Sequence, residues 1–146
     1  MSYLLVILNS FSIVSRKLFI ETAIKLNLRD YEMVDVQIDE ILLSDYMMNL
    51  GQDIVKEMIA LYKQQSILYL NDISNAVAEE HTLLWQELCH KFKGAAGSAG
   101  LQTLYLFLLE IEKSSAEKKK KEAFLAQLTE LNSSGITAIE QWVDNY

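Results

Sequence analysis

An all-α protein, folded as an antiparallel four-helix bundle with an additional N-terminal helical segment, is the architecture this sequence predicts. Proline is absent and glycine occurs only at 51, 94, 97, 100 and 135, so the residues that punctuate turns are scarce and long helices with short connections are expected. From residue 38 onward apolar side chains recur at spacings of three, four and seven, the period of a helix with one buried face. With 51% hydrophobic residues among 146, the chain has enough apolar surface for one core. A domain of this size buries roughly two-thirds of its unfolded surface and needs neither disulfide nor structural metal. A β-sandwich, a doubly wound nucleotide-binding fold and a disordered linker are all disfavoured.

The chain divides into an N-terminal extension or linker, 1–37, and the bundle, 38–146. In the extension the apolar run from Tyr3 to Leu8 is interrupted by Asn9, Ser10 and Ser12. It falls far short of the about 20 apolar residues of a membrane span, and it lacks the basic start and small-residue cleavage site of a signal peptide. From Phe11 to Leu28 the apolar residues fall on several sides of a helical projection, which suits an extra helix with more than one partner surface, a dimer contact or the remnant of a linker. A short helix over 38–49 then ends at Gly51 in a left-handed cap. The next, over 52–77, carries Val55, Met58, Tyr62, Tyr69, Ile73 and Ala76 as one stripe, and its tyrosines and methionine read as core rather than as a ligand cage. A third helix runs from Thr82, its N-cap, through Ala99 and is stopped by Gly100. The fourth places Leu101, Leu104, Leu108 and Ile111 on one side. A basic and polar connection follows over 114–121, with the lysines at 118–121 a solvated turn between Glu117 and Glu122. Phe124, Leu128, Leu131, Ala138 and Trp142 then mark the last helix, and antiparallel packing is the natural way to bury these stripes together.

Thirteen Lys and Arg against twenty Asp and Glu leave a formal charge of −7. That balance argues against a general affinity for nucleic acid or for an anionic membrane surface, both of which need clustered cations. The single cysteine, Cys89, cannot form an internal bridge and suits a reducing cytoplasm.

Chemistry concentrates in residues 88–100. On a helix advancing about 100° per residue, Trp85, Leu88, Phe92, Ala95 and Ala99 fall within one arc of about 80°, the buried face. His90 projects nearly opposite its centre, with Gln86, Lys93, Gly94 and Gly97 on the same outer side. Each glycine there costs the helix roughly 1 kcal/mol relative to alanine, and Gly100 already ends it. Their absent side chains clear a flat surface on which another protein's backbone can approach the imidazole, and Lys93 sets an ammonium beside the ring to neutralise an anion, a phosphoryl group foremost. A lone exposed histidine is most often merely solvated; outward projection, an adjacent lysine and a cleared face distinguish this one. Other chemistries fit worse. No Cys and His quartet exists for zinc, and His81 is half a turn out of alignment with His90. Cys89 diverges from His90 by about 100°, poor geometry for a catalytic pair, and reads as a packing thiol. The glycines lack the preceding strand and following GK[ST] of a phosphate-cradling loop.

His90-Lys91-Phe92-Lys93-Gly94, followed by Ala95-Ala96-Gly97-Ser98-Ala99-Gly100-Leu101, closely resembles the phosphoacceptor helix of histidine-containing phosphotransfer (HPt) domains. The family pattern is His-x-hydrophobic-Lys-Gly, then small residues, then Gly-hydrophobic at a helix turn. Leu50-Gly51-Gln52-Asp53 with Leu61-Tyr62 is similar to the family's second-helix opening, and Leu109-Glu110-Ile111-Glu112 to its fourth-helix pattern, so the resemblance covers 38–111. Among members the chain looks most like the C-terminal HPt module of hybrid sensor kinases of the trimethylamine-oxide type. Residues 1–37 have no counterpart. The resemblance implies that His90 is the phosphorylated residue, Lys93 the cation that steadies the phosphoryl group, and Gly94, with Gly97, the opening for a partner; Gln86 and Lys91 would belong to the docking rim. Where the family often has a glutamine near the histidine, Glu112 stands here, bringing negative charge towards a phosphate.

The implied function is that of a phosphorelay intermediate. Neutral imidazole, with an unperturbed pKa of about 6.5, takes a phosphoryl group from a receiver domain's phospho-aspartate and passes it to another receiver aspartate. Such a protein is a phosphocarrier and not an enzyme, with no ATP site, no cofactor and no metal of its own; Mg²⁺ is expected on the receiver partner. The implied partners are response-regulator receiver domains and a hybrid sensor kinase, and the implied location is cytoplasmic, or tethered at the inner membrane where the module belongs to such a kinase. The phosphoacceptor domain of a histidine kinase fits less well, because Lys91 stands where that class has an acidic residue and no proline follows. From a different class, a helical adaptor or dimerisation module would leave His90 idle and use the N-terminal apolar segment.

Overall fold

In a computed structural model of the chain, residues 37–146 are described; the expectations for the N-terminal extension lie outside them. Five helices follow in order: α1 Glu40–Leu50, α2 Gln52–Ala78, α3 Thr82–Ala99, α4 Gln102–Ile111 and α5 Lys118–Asp144, with no strand among the described residues. α2 lies against both α3 and α5, α4 packs against α3 and α5, and α1 rests on α2. Neighbours in sequence are thus neighbours in space through short connections, which gives the expected antiparallel bundle of α2 to α5 with α1 beside it.

The helix ends follow from local chemistry. Asp39 caps α1, its side chain accepting from the Leu42 amide at 3.1 Å. Gly51 separates α1 from α2 at φ 84°, ψ 160°, a glycine-only region rather than the left-handed helical cap expected. Gly100 does take the left-handed conformation, at φ 83° and ψ 16°, and the Leu101 amide donates back to the Ala96 carbonyl at 2.9 Å. α2 ends the same way without a glycine: Glu80 sits at φ 54° and the His81 amide donates to the Ala76 carbonyl. The N-cap of α3 is His81, not Thr82, because the His81 Nδ1 accepts from the Leu84 amide at 3.1 Å and Thr82 is already helical. His81 thereby has a structural role that its spacing from His90 did not suggest.

The core runs along α3, where Trp85, Cys89, Phe92 and Ala96 are fully buried. Its centre is rotated slightly from expectation, since Cys89 and Ala96 lie inside while Ala95 and Ala99 are half-buried. Trp85 donates its indole N–H to the Ile111 carbonyl at 3.2 Å, and Phe92 stacks on Tyr69 with ring centroids 5.3 Å apart. Polar residues also share the interior. Tyr62 donates to Asn132 Oδ1 at 2.7 Å, Asn132 Nδ2 donates to Ser66 Oγ at 2.9 Å, and Ser66 donates to the Lys63 carbonyl, so every buried member of this network has a partner.

Two expectations for α5 are corrected. The helix starts at Lys118, so the lysines at 118–121 form its first turn and not a connection, with 118–120 exposed as expected and Lys121 buried. Cations are unfavourable at a helix N-terminus, and each of three is absorbed elsewhere: Lys118 donates to the Ala78 carbonyl at the end of α2, Lys120 lies 5.7 Å from the Phe124 ring centroid, and buried Lys121 lies 5.3 Å from that of Trp85. The buried stripe of α5 is Leu128, Asn132, Gly135, Ile136, Ile139 and Val143, whereas Phe124, Leu131, Ala138 and Trp142 flank it half-buried. Gly135 allows that approach, because a Cβ there would overlap the buried Leu101 side chain. Gly135→Ala is expected to lower stability by about 1–3 kcal/mol, the usual cost of overpacking a closed core, measurable as a reduced urea midpoint with an unchanged m-value.

Candidate functional site

α3 carries one face in the core and the opposite face in solvent, and His90 stands on the latter with 72% of its side chain exposed. What lies beneath it was not evident from the pattern of apolar residues. Glu112, directly after α4, is buried, with 8% of its side chain exposed, and its Oε2 lies 3.3 Å from His90 Nδ1. Lys93 Nζ reaches both oxygens of the same carboxylate, at 2.9 Å to Oε1 and 2.8 Å to Oε2. The Lys93 charge is therefore already shared with Glu112, and only 11% of its side chain is exposed. Burial pushes the Glu112 carboxyl upward, but the hydrogen bond and charge of Lys93, and then those of His90, outweigh it and hold the group below the usual carboxylate range.

The other predicted residues fall as follows. Lys91 is exposed on α3 and pairs with Glu87 one turn earlier at 2.7 Å. Gln86 is half-buried one turn before His90. Gly94 is exposed, and a Cβ built on it would meet nothing within 4 Å. Gly97 is different: its Cβ would lie 3.1 Å from the Tyr105 ring, so this glycine admits α4 and does not simply clear a surface for a partner. Gly51 is required by its backbone angles, Gly100 by angles and by Leu43, and Gly135 by Leu101. Gly94 is left as the glycine that neither conformation nor packing explains. Cys89 is buried, and burial pushes its thiol up to about 12, the Glu112 charge adding and Lys121 opposing. It stays a thiol at neutral pH and packs, as expected.

The family resemblance set Glu112 near the histidine as a departure from the usual glutamine, and the sequence holds a second signal for it. It falls four residues after the buried Leu108, on the same side of the helical path, and a carboxylate on a buried stripe requires a partner. Among the described residues no group of three His, Cys, Asp or Glu is arranged to hold a metal ion, and no helix is long and apolar enough to cross a membrane.

The helical bundle that carries this exposed histidine matches a known family. The family model described as the Hpt domain matches residues 57–142, and the chain belongs to that family. Two solved structures share the fold. The histidine-containing phosphotransfer domain of ArcB from Escherichia coli is similar at a TM-score of 0.67 and 21% identity, with 75% of this chain and 94% of that one covered. Histidine-containing phosphotransfer protein B (HptB) from Pseudomonas aeruginosa is similar at a TM-score of 0.64 and 16% identity, covering 77% and 98%. Among curated proteins none matches. As an Hpt domain the chain is a phosphorelay intermediate that carries phosphoryl groups between receiver domains, a phosphocarrier without kinase or ATP-binding activity.

The depressed carboxyl of Glu112 has a consequence for stability. A carboxyl held low in the folded state contributes stability above its unfolded pKa of about 4.3, and that contribution is lost as pH falls through the folded value. Glu112→Gln is therefore expected to lower the melting temperature at about pH 7, with the gap to wild type closing towards about pH 3.

Proposed function

We propose that His90 is the phosphoacceptor, that Lys93 helps neutralise the transferred group, and that Gly94 opens the face on which a receiver domain docks, with Gln86 and Lys91 at its rim. The observation that carries this reading is the single outward-facing imidazole of α3, 72% exposed and backed by a carboxylate and a lysine. Nε2, the ring nitrogen not turned to Glu112, attacks the phosphorus of a receiver's phospho-aspartate in line, and the aspartate carboxylate leaves. Trp85 and Phe92 hold the helix beneath, and a divalent cation is expected on the receiver. Residues 38–146 are proposed as the phosphotransfer bundle and 1–37 as an extension outside it. The motif resemblance further supports a place as the C-terminal module of a hybrid sensor kinase of the trimethylamine-oxide type.

Incubation with a phosphorylated receiver domain is expected to give acid-labile, base-stable label on the chain. His90→Gln is expected to abolish that label while leaving helicity unchanged; retained label would move the acceptor elsewhere. Gly94→Leu is expected to keep or raise thermal stability, because the helix gains up to about 1 kcal/mol and a Cβ at this exposed position meets nothing within 4 Å, yet to slow phosphotransfer at least tenfold (about 1.4 kcal/mol of lost docking or alignment). Labelling of the Gly94→Leu variant at the wild-type rate would remove Gly94 from the docking face.

A further inference from the structure

The described residues hold nine lysines and no arginine, and the lysines divide into two groups. Lys56, Lys63, Lys91 and Lys93 are each paired with a carboxylate, that of Asp144, Glu140, Glu87 and Glu112 respectively. The other five all fall between 113 and 121. Among the described residues none of these five is paired with a carboxylate, although Glu110, Glu117 and Glu122 are close in sequence. Lys118 donates to the neutral Ala78 carbonyl, and Lys120 and Lys121 lie over aromatic rings, contacts that leave the net charge in place. Lys113, Lys118, Lys119 and Lys120 are exposed. A chain of formal charge −7 thus gathers the uncompensated cations of its described residues at one end of the bundle, in the α4–α5 connection and the first turn of α5.

That end adjoins His90. Lys113 directly follows Glu112, whose Oε2 lies 3.3 Å from His90 Nδ1. Lys121, in the same turn as the lysines at 118–120, lies 5.3 Å from the Trp85 ring centroid. Trp85 precedes His90 by five residues, about 7.5 Å along α3. A protein docked on His90 through about 800 Å² of surface covers a patch about 30 Å across, which extends over Lys113 and towards the start of α5.

We infer that Lys113, Lys118, Lys119 and Lys120 form an electrostatic docking patch that steers the acidic, phospho-aspartate-bearing face of a receiver domain onto His90, setting the rate of encounter and not the rate of transfer. This rests on His90 being the acceptor. A receiver that binds a divalent cation does so through carboxylates, and its phospho-aspartate adds further negative charge. A chain of charge −7 repels such a face unless a local positive region outweighs the rest. The lysines of α3 do not supply that region, because Lys91 and Lys93 are neutralised by their own carboxylates. Charges at the rim of an interface act chiefly on the association rate and its salt dependence. They reach about 30 Å at about 0.01 M ionic strength and about 8 Å at about 0.15 M. All four lysines therefore act at low salt, and Lys113, next to the site, keeps the largest share at physiological salt. Nucleic acid and anionic lipid present anions over an extended area, where the exposed Glu110, Glu117 and Glu122 would meet them too; a compact acidic face fits the patch better.

The test follows labelling of the full chain by a receiver domain charged with acetyl phosphate. It compares wild type with a variant carrying Lys113→Glu, Lys119→Glu and Lys120→Glu over about 0.01–0.5 M salt. Well below saturating receiver, the wild-type rate is expected to fall at least tenfold across that range. The variant is expected to be at least tenfold slower than wild type at low salt and to converge on it at high salt. At saturating receiver the two are expected to transfer at the same rate, which also shows that the variant is folded. Wild type labelled at a salt-independent rate, or a variant that matches it at low salt, overturns the steering role and leaves His90 the acceptor. A deficit of the same size at every salt concentration overturns it too, because damage to the fold or to transfer has no such screening. Wild type that takes no label at any salt concentration overturns both readings. Sedimentation with phosphatidylglycerol vesicles covers the lipid alternative: wild type that binds them through these lysines, with labelling of the variant unaltered, assigns the patch to a membrane and overturns the inference.

Discussion

Glu112 puts a carboxylate where 8% of its side chain reaches water, and a charge so placed destabilises the fold unless it is paired. The pairing with Lys93 joins the end of α4 to the middle of α3. One residue earlier, the Ile111 carbonyl accepts from the Trp85 indole, so two consecutive residues pin the same stretch of chain to the same helix, one through charge and one through a buried hydrogen bond. Losing either partner of such a pair costs more than the pair contributes, because the survivor is left buried and unsatisfied. The position of His90 relative to α4 depends on this double attachment.

The same helix has to satisfy two opposed demands. Its inner face is closed by Trp85, Cys89, Phe92 and Ala96, and its later residues are small so that other elements can come close: Tyr105 against Gly97, and Leu43 of α1 against Gly100. α1 is held to that end of α3 by the Asp39 amide donating to the Gly100 carbonyl at 2.8 Å and by the Tyr46 hydroxyl donating to the Ser98 carbonyl at 2.9 Å. Small residues in the second half of α3 therefore serve packing. Against that background Gly94 stands apart, because a Cβ there would meet nothing within 4 Å.

Apolar periodicity made the helices legible, and the glycines marked their ends, because burial and cap geometry act on single residues at fixed spacing. Polar residues on the buried stripes were hidden for the same reason. Ser66, Asn132, Lys121 and Glu112 sit inside because each finds a specific partner across the bundle, 66 residues away in sequence for Asn132 and Ser66, and spacing along one helix carries no record of such a pairing. The outward projection of His90 was readable from its own helix. The anion beneath it comes from another element and was signalled only by the family resemblance, while its pairing with Lys93 left no mark in the spacing.

This charge arrangement bears on how a carrier can both take and release. Both lysines next to His90 on α3 are already paired, Lys93 with Glu112 and Lys91 with Glu87. With His90 as the proposed acceptor, an arriving phosphoryl group would gain neutralisation from these lysines only by sharing Lys93 with Glu112 or Lys91 with Glu87. A site with a free cation cluster would hold the phosphorylated state more deeply and raise the barrier to onward transfer, since stabilising an intermediate without equally stabilising the transition state slows its departure. Partial neutralisation leaves the remaining electrostatic stabilisation to the docked receiver, so the phosphoryl group is best accommodated while a partner is present and least accommodated between partners.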